Sequence, residues 1–202
     1  MTFIDFNDLG GVVEALAHHE PGLITQDGIK RASVALILSA FGGETQVLFI
    51  QRATSKKDPW SGQIAFPGGG EEDLDLSLEQ TAIRESLEEV GVPLKQHMII
   101  GRLDDLQGSS RNRSLNLAIS CFVFRIEQEI SLVPNYEVAD VFWTPLGVLQ
   151  NPVNRFAYHT EYRTEPFPAI RLGQGSSGQQ RVLWGLTYRF IQCFFDVLEI
   201  ES

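Results

Sequence analysis

The chain has little sulfur and an excess of acid. Its 202 residues include two cysteines, Cys121 and Cys193, both inside apolar runs ("ISCFVF" and "IQCFFDV"). Thiols in such settings read as buried free cysteines of a reducing compartment, not as a disulfide framework or a nucleophile. Lys and Arg number 16 against 26 Asp and Glu, a formal charge of -10. That balance argues against a broad nucleic-acid footprint, which needs basic surface to follow phosphates. It leaves room for a phosphorylated small molecule met through a metal cation. No run reaches the roughly 18 apolar residues of a membrane helix. The start, "MTFIDFNDLGG", has neither a basic n-region nor a long apolar stretch, so no secretory signal is expected. The expected location is the cytoplasm, without a membrane partner. His18, His19, His97 and His159 form no ligand spacing with one another and receive no role. The chain shows no internal repeat.

Hydrophobic residues make up 43% of the chain, enough for a sizeable core. The length suits one domain with a small appendage. Residues 7–19 read as a short N-terminal helix, so 1–30 is taken as a helical appendage and 31–202 as the main domain. "ASVALILSAF" (32–41) and "QVLFIQR" (46–52) predict two strands around the turn signal "GGET". "QIAF" (63–66) is a short strand running into glycines. "MIIGRLDD" (98–105) and "NLAISCFVFRI" (116–126) predict strands joined by a polar loop, "LQGSSRNRS". "EVADVFWTPL" (137–146) is a strand entering a helical turn, with Pro145 at the first helical position. "RFAYHTEYR" (155–163) and "FPAIRL" (167–172) form a further β pair, followed by a flexible segment, 173–180. Residues 183–200 are an apolar C-terminal helix. The pattern is α/β (α+β), a mixed sheet between helices.

"FPGGGEEDLDLSLEQTAIRESLEEVGV" (66–92) holds the chemistry. Ser77 with Gln80 three residues on makes a capping box, and Gly91 can take the left-handed cap conformation, so the helix covers 78–90. At about 100° per residue, Ile83, Leu87 and Val90 fall on one stripe that should pack inward. Glu85, Glu88 and Glu89 fall in one arc on the other side. A solvated helix face would ordinarily explain glutamates. Here like charges at i, i+3 and i+4 oppose one another, with only Arg84 beside them. The preceding glycines, costly in backbone entropy, are useful where backbone must come close to something. A divalent cation accounts for both, because Mg²⁺ prefers hard oxygen donors and completes its shell with water and phosphate.

At these residues the chain resembles the Nudix hydrolase family, whose box reads G, five residues, E, seven residues, then R-E-U-x-E-E-x-G-U with U apolar. "RESLEEVGV" supplies Arg84, Glu85, Glu88, Glu89, Gly91 and Val92 in register, and "FPGG" the loop before them. The first box glutamate falls on Leu76, and Ser86 takes a usually apolar place. Asp73 or Asp75 in a longer loop is the candidate replacement carboxylate, which reads as a change of subclass. "PWSGQIAFPGG" (59–69), with Arg52 upstream, "EVADVFWTPL" and "VLWGLTYRF" are similar to the subgroup that includes coenzyme A diphosphatases. "SKKDPW" lacks that pattern's histidine, and "NLAISCFVF" lacks its proline.

The resemblance implies a Nudix-type α/β/α sandwich and a pyrophosphohydrolase dependent on Mg²⁺, with Mn²⁺ as substitute. The substrate would be a nucleoside diphosphate joined to a group X, coenzyme A-like as first choice. Glu85, Glu88 and Glu89 would hold metal, with the Gly68 carbonyl carried over as a further ligand. Glu88 or Glu89 would orient or deprotonate water, and Arg84 would pair with a box carboxylate. Glu137 is the candidate distant ligand, against a structural hydrogen bond. Arg52 and Gln63 are candidates for contact with phosphate or base, against solvated strand ends. Arg111 and Arg113 are candidates for a polyphosphate clamp, against ordinary loop charges. Trp60 is weighed as a stacking or a buried aromatic. The partner expected is a small-molecule nucleotide diphosphate, and a homodimer is compatible with the family. The competing readings are an enzyme acting on RNA 5′ ends, disfavoured by the acidic balance, and a non-catalytic sensing domain, disfavoured by three intact glutamates.

Overall fold

The computed structural model describes residues 9–40, 43–56, 58, 60–110, 113–161, 163–175 and 178–199, with the side chains of Ser109, Ser110, Arg113 and Ser114 outside that description. In chain order its elements are α1 (Gly10–His18), β1 (Lys30–Ser39), β2 (Gln46–Arg52), β3 (Ile64–Ala65), β4 (Gly68–Gly70), α2 (Leu78–Val90), β5 (Ile99–Arg102), β6 (Leu106–Ser110), β7 (Arg113–Ile126), β8 (Val138–Pro145), α3 (Leu146–Gln150), β9 (Arg155–Thr160), β10 (Arg163–Gln174), β11 (Gln180–Trp184) and α4 (Gly185–Val197).

An eight-stranded sheet runs β3-β2-β1-β7-β5, with β4 beside β1, β6 beside β7 and β8 beside β2. β1 and β7 pair in parallel from Lys30↔Leu117 to Ser39↔Ile126, and the other pairs are antiparallel. The sheet is therefore mixed, as expected. Alternation along the strands feeds two cores. Leu36, Leu38, Val47 and Phe49 pack with α1, α3 and α4, whereas Ala35, Ile37, Leu48 and Ile50 pack with α2. β1 shares one edge between two partners. Its end, Leu38 and Ser39, pairs with β2, while its start, Ala32 to Val34, pairs with Gly70 to Gly68 of β4. β2 meanwhile turns toward β8 and β3. The divergence opens a gap in the sheet.

Helix α2 has the predicted ends. The Ser77 hydroxyl accepts from the Gln80 N–H, and Gly91 has φ 72°. Its buried face is the predicted one only in part. Val90 is buried and Ile83 half-buried, but Leu87 is 54% exposed. Ala82 and Ser86 are fully covered instead. Both are small, and the Ser86 hydroxyl donates to the Ala82 carbonyl at 2.8 Å, so it can be buried without an orphan polar group.

Three other expectations change. "LQGSSRNRS" is strand at both ends: β6 pairs antiparallel with β7, with a register shift between Gln107 and Ser109, and residues 111–112 lie outside the described residues. Its polar residues fit a strand that pairs along one edge. Pro145 ends β8 and stands at the N-cap of α3. The segment 180–184 is a strand, β11, which joins β9 and β10 in a separate antiparallel sheet. Its Leu183 is buried, and the helix begins only at Gly185, φ 71°.

The N-terminal segment is built into the core through Val12 and Leu16. Residues 19–24 are tied down by two aspartates. Asp105, its side chain fully covered, accepts from the Ile24 N–H at 3.0 Å, Arg102 Nη2 at 2.8 Å and the Ser120 hydroxyl at 2.7 Å. Asp104 accepts from the Gly22 N–H at 2.8 Å and contacts His19 Nε2 at 3.0 Å. Among the described residues no helix is long and apolar enough to cross a membrane. Removing a buried charge leaves its partner uncompensated. Asp105→Ala should therefore destabilise the protein by about 3 kcal/mol, and Asp104→Ala, at a half-exposed pair, by less than about 1 kcal/mol. Urea denaturation of the two variants checks this. Equal losses would mean that the buried network is not what holds the segment.

Candidate active site

The gap between β1/β4 and β2/β3 is a cavity of about 450 Å³. Glu85 and Glu89 reach it from α2, and Leu186, Thr187 and Phe190 from α4. Arg52, Gln63, Trp60 and Glu137 line it too, and Gly68, Gly69 and Gly70 form one wall. Among these three, close approach of backbone requires glycine at Gly68. A Cβ on Gly68 would stand 2.6 Å from Val34 Cα, and one on Gly69 would enter the Glu85 carboxylate.

Arg84 organises the acidic side from behind the cavity. Its guanidinium grips Asp75 with a two-pronged fork, Nε to Oδ1 at 3.0 Å and Nη2 to Oδ2 at 2.9 Å. The same group donates to the Gly70 carbonyl at 3.0 Å, Glu85 Oε1 at 2.8 Å and Glu88 Oε2 at 3.2 Å. Bidentate geometry of this kind is what arginine offers and lysine does not. The guanidinium holds the Asp75 carboxyl down at about 2. Asp75 thus takes the pairing left open by Leu76, whose side chain points outward, 86% exposed.

Glu89 is 2% exposed. Its Oε2 accepts from the Gly68 N–H at 2.9 Å, and its Oε1 stands 3.7 Å from Arg52 Nη1. Burial pushes its carboxyl up to about 7, with repulsion from Glu85 and Glu137 adding to the shift. The Gly68 N–H and Arg52 act the other way. Glu85 is raised as well, first by burial, then by Glu88 and Glu137, against the pull of Arg84. Arg52 is held in turn by Asp58, Nε to Oδ2 at 2.7 Å, and Asp58 accepts from the Trp60 N–H at 2.9 Å.

The structure thus brings Glu85, Glu89, Glu137, Gly68, Arg52 and Gln63 to one cavity. It does not bring Glu88, whose side chain is 54% exposed and paired with Arg84. The predicted single arc of three glutamates is split by the packing of α2. Trp60 is half-buried at the cavity wall, between the two readings considered for it. Arg111 lies outside the described residues. Arg113 begins β7, and its side chain is also outside them. Sequence reasoning missed Asp58 and the contribution of α4. An aspartate six residues after Arg52 was visible, but only the folded turn shows that they pair.

Among the described residues, no group of three His, Cys, Asp or Glu side chains already stands in metal-holding geometry. The donor chemistry nevertheless fits a hard divalent ion. Glu85, Glu89 and Glu137 line one cavity, and repulsion between carboxylates adds to the burial that raises the first two. Carboxylate and carbonyl oxygens are what Mg²⁺ binds.

Comparison with known proteins gives the family of the chain. The NUDIX domain family model matches residues 30–163. The uncharacterized Nudix hydrolase NudL of Photorhabdus laumondii is 30% identical over 171 residues, 82% of this chain and 83% of that protein. An uncharacterized protein of Schizosaccharomyces pombe is 42% identical over 110 residues, 52% of this chain and 33% of its own length. The peroxisomal coenzyme A diphosphatase NUDT7 of Mus musculus is 31% identical over 122 residues, 59% and 49% of the two chains. The match therefore spans a third of the yeast relative and about half of the mouse one. Among solved structures, a MutT/nudix family protein from Enterococcus faecalis shares the fold, with TM-score 0.58 and 20% identity over 95% of this chain and 70% of that one. The NUDIX domain of Shewanella oneidensis NrtR, complexed with ADP ribose, has TM-score 0.50 and 27% identity over 69% and 86%. A match of this extent, on a fold that solved relatives share, makes this chain a member of the Nudix hydrolase family.

Proposed function

We propose that the protein is a Mg²⁺-dependent diphosphatase acting on a nucleoside diphosphate joined to a group X, with coenzyme A-like compounds as the leading substrate class. The observation that carries this is the convergence of Glu85, Glu89 and Glu137 on one cavity walled by Gly68, Gly69 and Gly70. The mouse relative supports the coenzyme A reading by its name, and the ADP ribose complex supports a nucleoside diphosphate in the same fold. The short "PWSGQIAFPGG" segment, which lines the cavity through Trp60, Gln63 and Phe66, supports it from this chain.

Glu85, Glu89, Glu137 and the Gly68 carbonyl would hold the metal. A bound divalent cation neutralises phosphoryl oxygens and lowers the pKa of water beside it. Glu89 is favoured over Glu88 as the group that takes the proton of the attacking water. It faces the cavity, whereas Glu88 is turned to solvent against Arg84. The water oxygen bonds to phosphorus as the bridging P–O bond breaks, and two monophosphate esters leave. Arg84 keeps Glu85 in place, and Arg52 and Gln63 face the incoming phosphate or base.

Glu89→Gln separates this from a merely structural role. Because the Glu89 carboxyl is raised in the fold from 4.5 to about 7, its favourable share of apo stability is complete below pH 4.5. That share is lost as pH rises through about 7, a loss of order 3 kcal/mol. The variant should flatten that decline and leave the apo melting temperature at pH 8 unchanged or higher. Its Mg²⁺-saturated turnover should fall at least about a hundredfold. Wild-type turnover in the variant would remove Glu89 from the chemistry.

The function itself is tested with a panel of coenzyme A, NADH, ADP-ribose, nucleotide sugars, dinucleoside polyphosphates, nucleoside triphosphates and 5′-triphosphate RNA. Diphosphate cleavage to two monophosphate esters is expected, abolished by excess chelator and restored by Mg²⁺ or Mn²⁺. Turnover that persists in chelator, or that is confined to RNA ends, would overturn the proposal.

A further inference from the structure

Arg52 is gripped at one end and open at the other. Its Nε donates to Asp58 Oδ2 at 2.7 Å. Among the described residues neither of its Nη groups donates a hydrogen bond, and the side chain lines the cavity of Glu85 and Glu89. Glu89 Oε1 stands 3.7 Å from Nη1, outside hydrogen-bond distance. The other oxygen of that carboxylate is taken by the Gly68 N–H at 2.9 Å. A guanidinium and a buried carboxylate oxygen this close ordinarily meet, because a charge-assisted hydrogen bond between them is strong. Movement by about 1 Å would close the gap.

Asp58 holds the guanidinium back, and Asp58 is itself held. Its N–H donates to the Ser55 carbonyl at 3.4 Å and its carbonyl accepts from the Ser61 N–H at 3.2 Å. Its Oδ1 accepts from the Trp60 N–H at 2.9 Å. The Ser61 hydroxyl accepts from the Ser55 N–H at 2.8 Å and closes the turn. The end of β2 is tied on both sides, Arg52 N–H to the Gln63 carbonyl at 3.0 Å and Ala53 N–H to the Glu137 carbonyl at 2.7 Å. With backbone and Nε both fixed, the plane of the guanidinium is fixed. Two needs are met together. Glu89 keeps an oxygen for a cation, and Arg52 presents its Nη edge, which can take two phosphoryl oxygens side by side. The Asp58 side chain is 16% exposed, and its charge cancels that of Arg52, so Arg52 offers a phosphate direction more than charge.

We propose, on the basis of the diphosphatase reading, that Asp58 is a positioning residue: it tethers Arg52 away from Glu89, which keeps the carboxylate open to a divalent cation and the Nη edge open to a phosphoryl group. Released from Asp58, the guanidinium would close on Glu89 Oε1. It would then take the place of a cation and turn away from the phosphate. The tether keeps the cation site and the anion site of one cavity from cancelling each other.

The test is a double-mutant cycle read by calorimetric titration with Mn²⁺ alone. Asp58→Asn keeps the size of the side chain and an oxygen for the Trp60 N–H, but turns an amide N–H toward Arg52 Nε. Mn²⁺ binding should weaken about tenfold or more. In the Arg52→Met background the same change should cost less than about twofold, because no guanidinium is left to close on Glu89. Asp58→Ser also keeps an oxygen for the turn and should repeat the pattern, so a fold defect peculiar to one variant does not decide the result. Asp58→Glu separates tether from turn. A turn role ranks Asn above Glu, since Asn has the right length; a tether ranks Glu above Asn, since a carboxylate grips the guanidinium. At saturating Mg²⁺ the Asp58→Asn loss should appear in KM for a diphosphate substrate, again only with Arg52 present. Equal losses of Mn²⁺ binding in both backgrounds, no loss in either, Asn ranked above Glu, or an unchanged KM would overturn the tether. Coupled Mn²⁺ binding without turnover of any diphosphate would uphold it and sink the diphosphatase reading. Chelator-sensitive turnover without that coupling would do the reverse.

Discussion

The site depends on one guanidinium. Arg84 is the point where the loop before α2, strand β4 and two helix carboxylates meet, through Asp75, Gly70, Glu85 and Glu88. A lysine could satisfy one or two of these partners. The planar fork satisfies four with directed hydrogen bonds, and a bidentate grip on Asp75 fixes the plane of the group. With that plane fixed, Glu85 has a defined rotamer at the cavity. The glycines of β4 are held against β1 by Val34↔Gly68 and Ser33↔Gly69 pairing. Helix and strand are thus locked to each other at the place where the sheet opens.

The same packing gives the two inward glutamates different environments. Glu85 is neutralised in part by Arg84, whereas Glu89 has a backbone N–H and a more distant arginine. Burial without a close cation is why the Glu89 carboxyl rises to about 7. Small residues make this possible. Ala82 and Ser86 let α2 settle close to the sheet, which carries Glu89 inward and turns Glu88 and Leu87 outward.

Much of this was legible in the sequence, and the failures have physical causes. The ends of α2 were readable because caps are local chemistry, and Ser77 and Gly91 do what their types predict. The box glutamates were readable by spacing. Which of them faces the cavity was not, because a helical wheel fixes angles between residues and not the rotation of the helix against its neighbours. Leucine outward and serine inward is an outcome of close packing that hydrophobicity alone ranks the wrong way. Asp73 and Asp75 were indistinguishable until the loop folded and brought Asp75 to Arg84. The β6–β7 pairing was hidden by its polarity, since an edge strand needs no apolar run. β11 was hidden by the helix that follows it, because "RVLW" continues an apolar stretch and only Gly185 marks the break. The pairing of β9, β10 and β11 into a sheet with one buried and one aromatic face is a long-range property that no local window contains.

Charge links the fold to the proposed chemistry. A chain of net charge -10 is asked to receive a diphosphate into a cavity ringed by Glu85, Glu89 and Glu137. The arginines at that cavity are already engaged, Arg84 with Asp75, Glu85 and Glu88, and Arg52 with Asp58. Two unit charges 4 Å apart at an effective dielectric of 20 interact by about 4 kcal/mol. A phosphate approaching three carboxylates without a mobile cation would meet repulsion of that order several times over. Protonating Glu89 relieves one such term at the expense of the base. A divalent ion held by these carboxylates would relieve all of them and keep Glu89 ionised, because a bound cation lowers the pKa of the carboxylates it touches. On the proposed reading, metal, substrate and the protonation state of Glu89 would be one coupled equilibrium, set by the burial that α2 imposes.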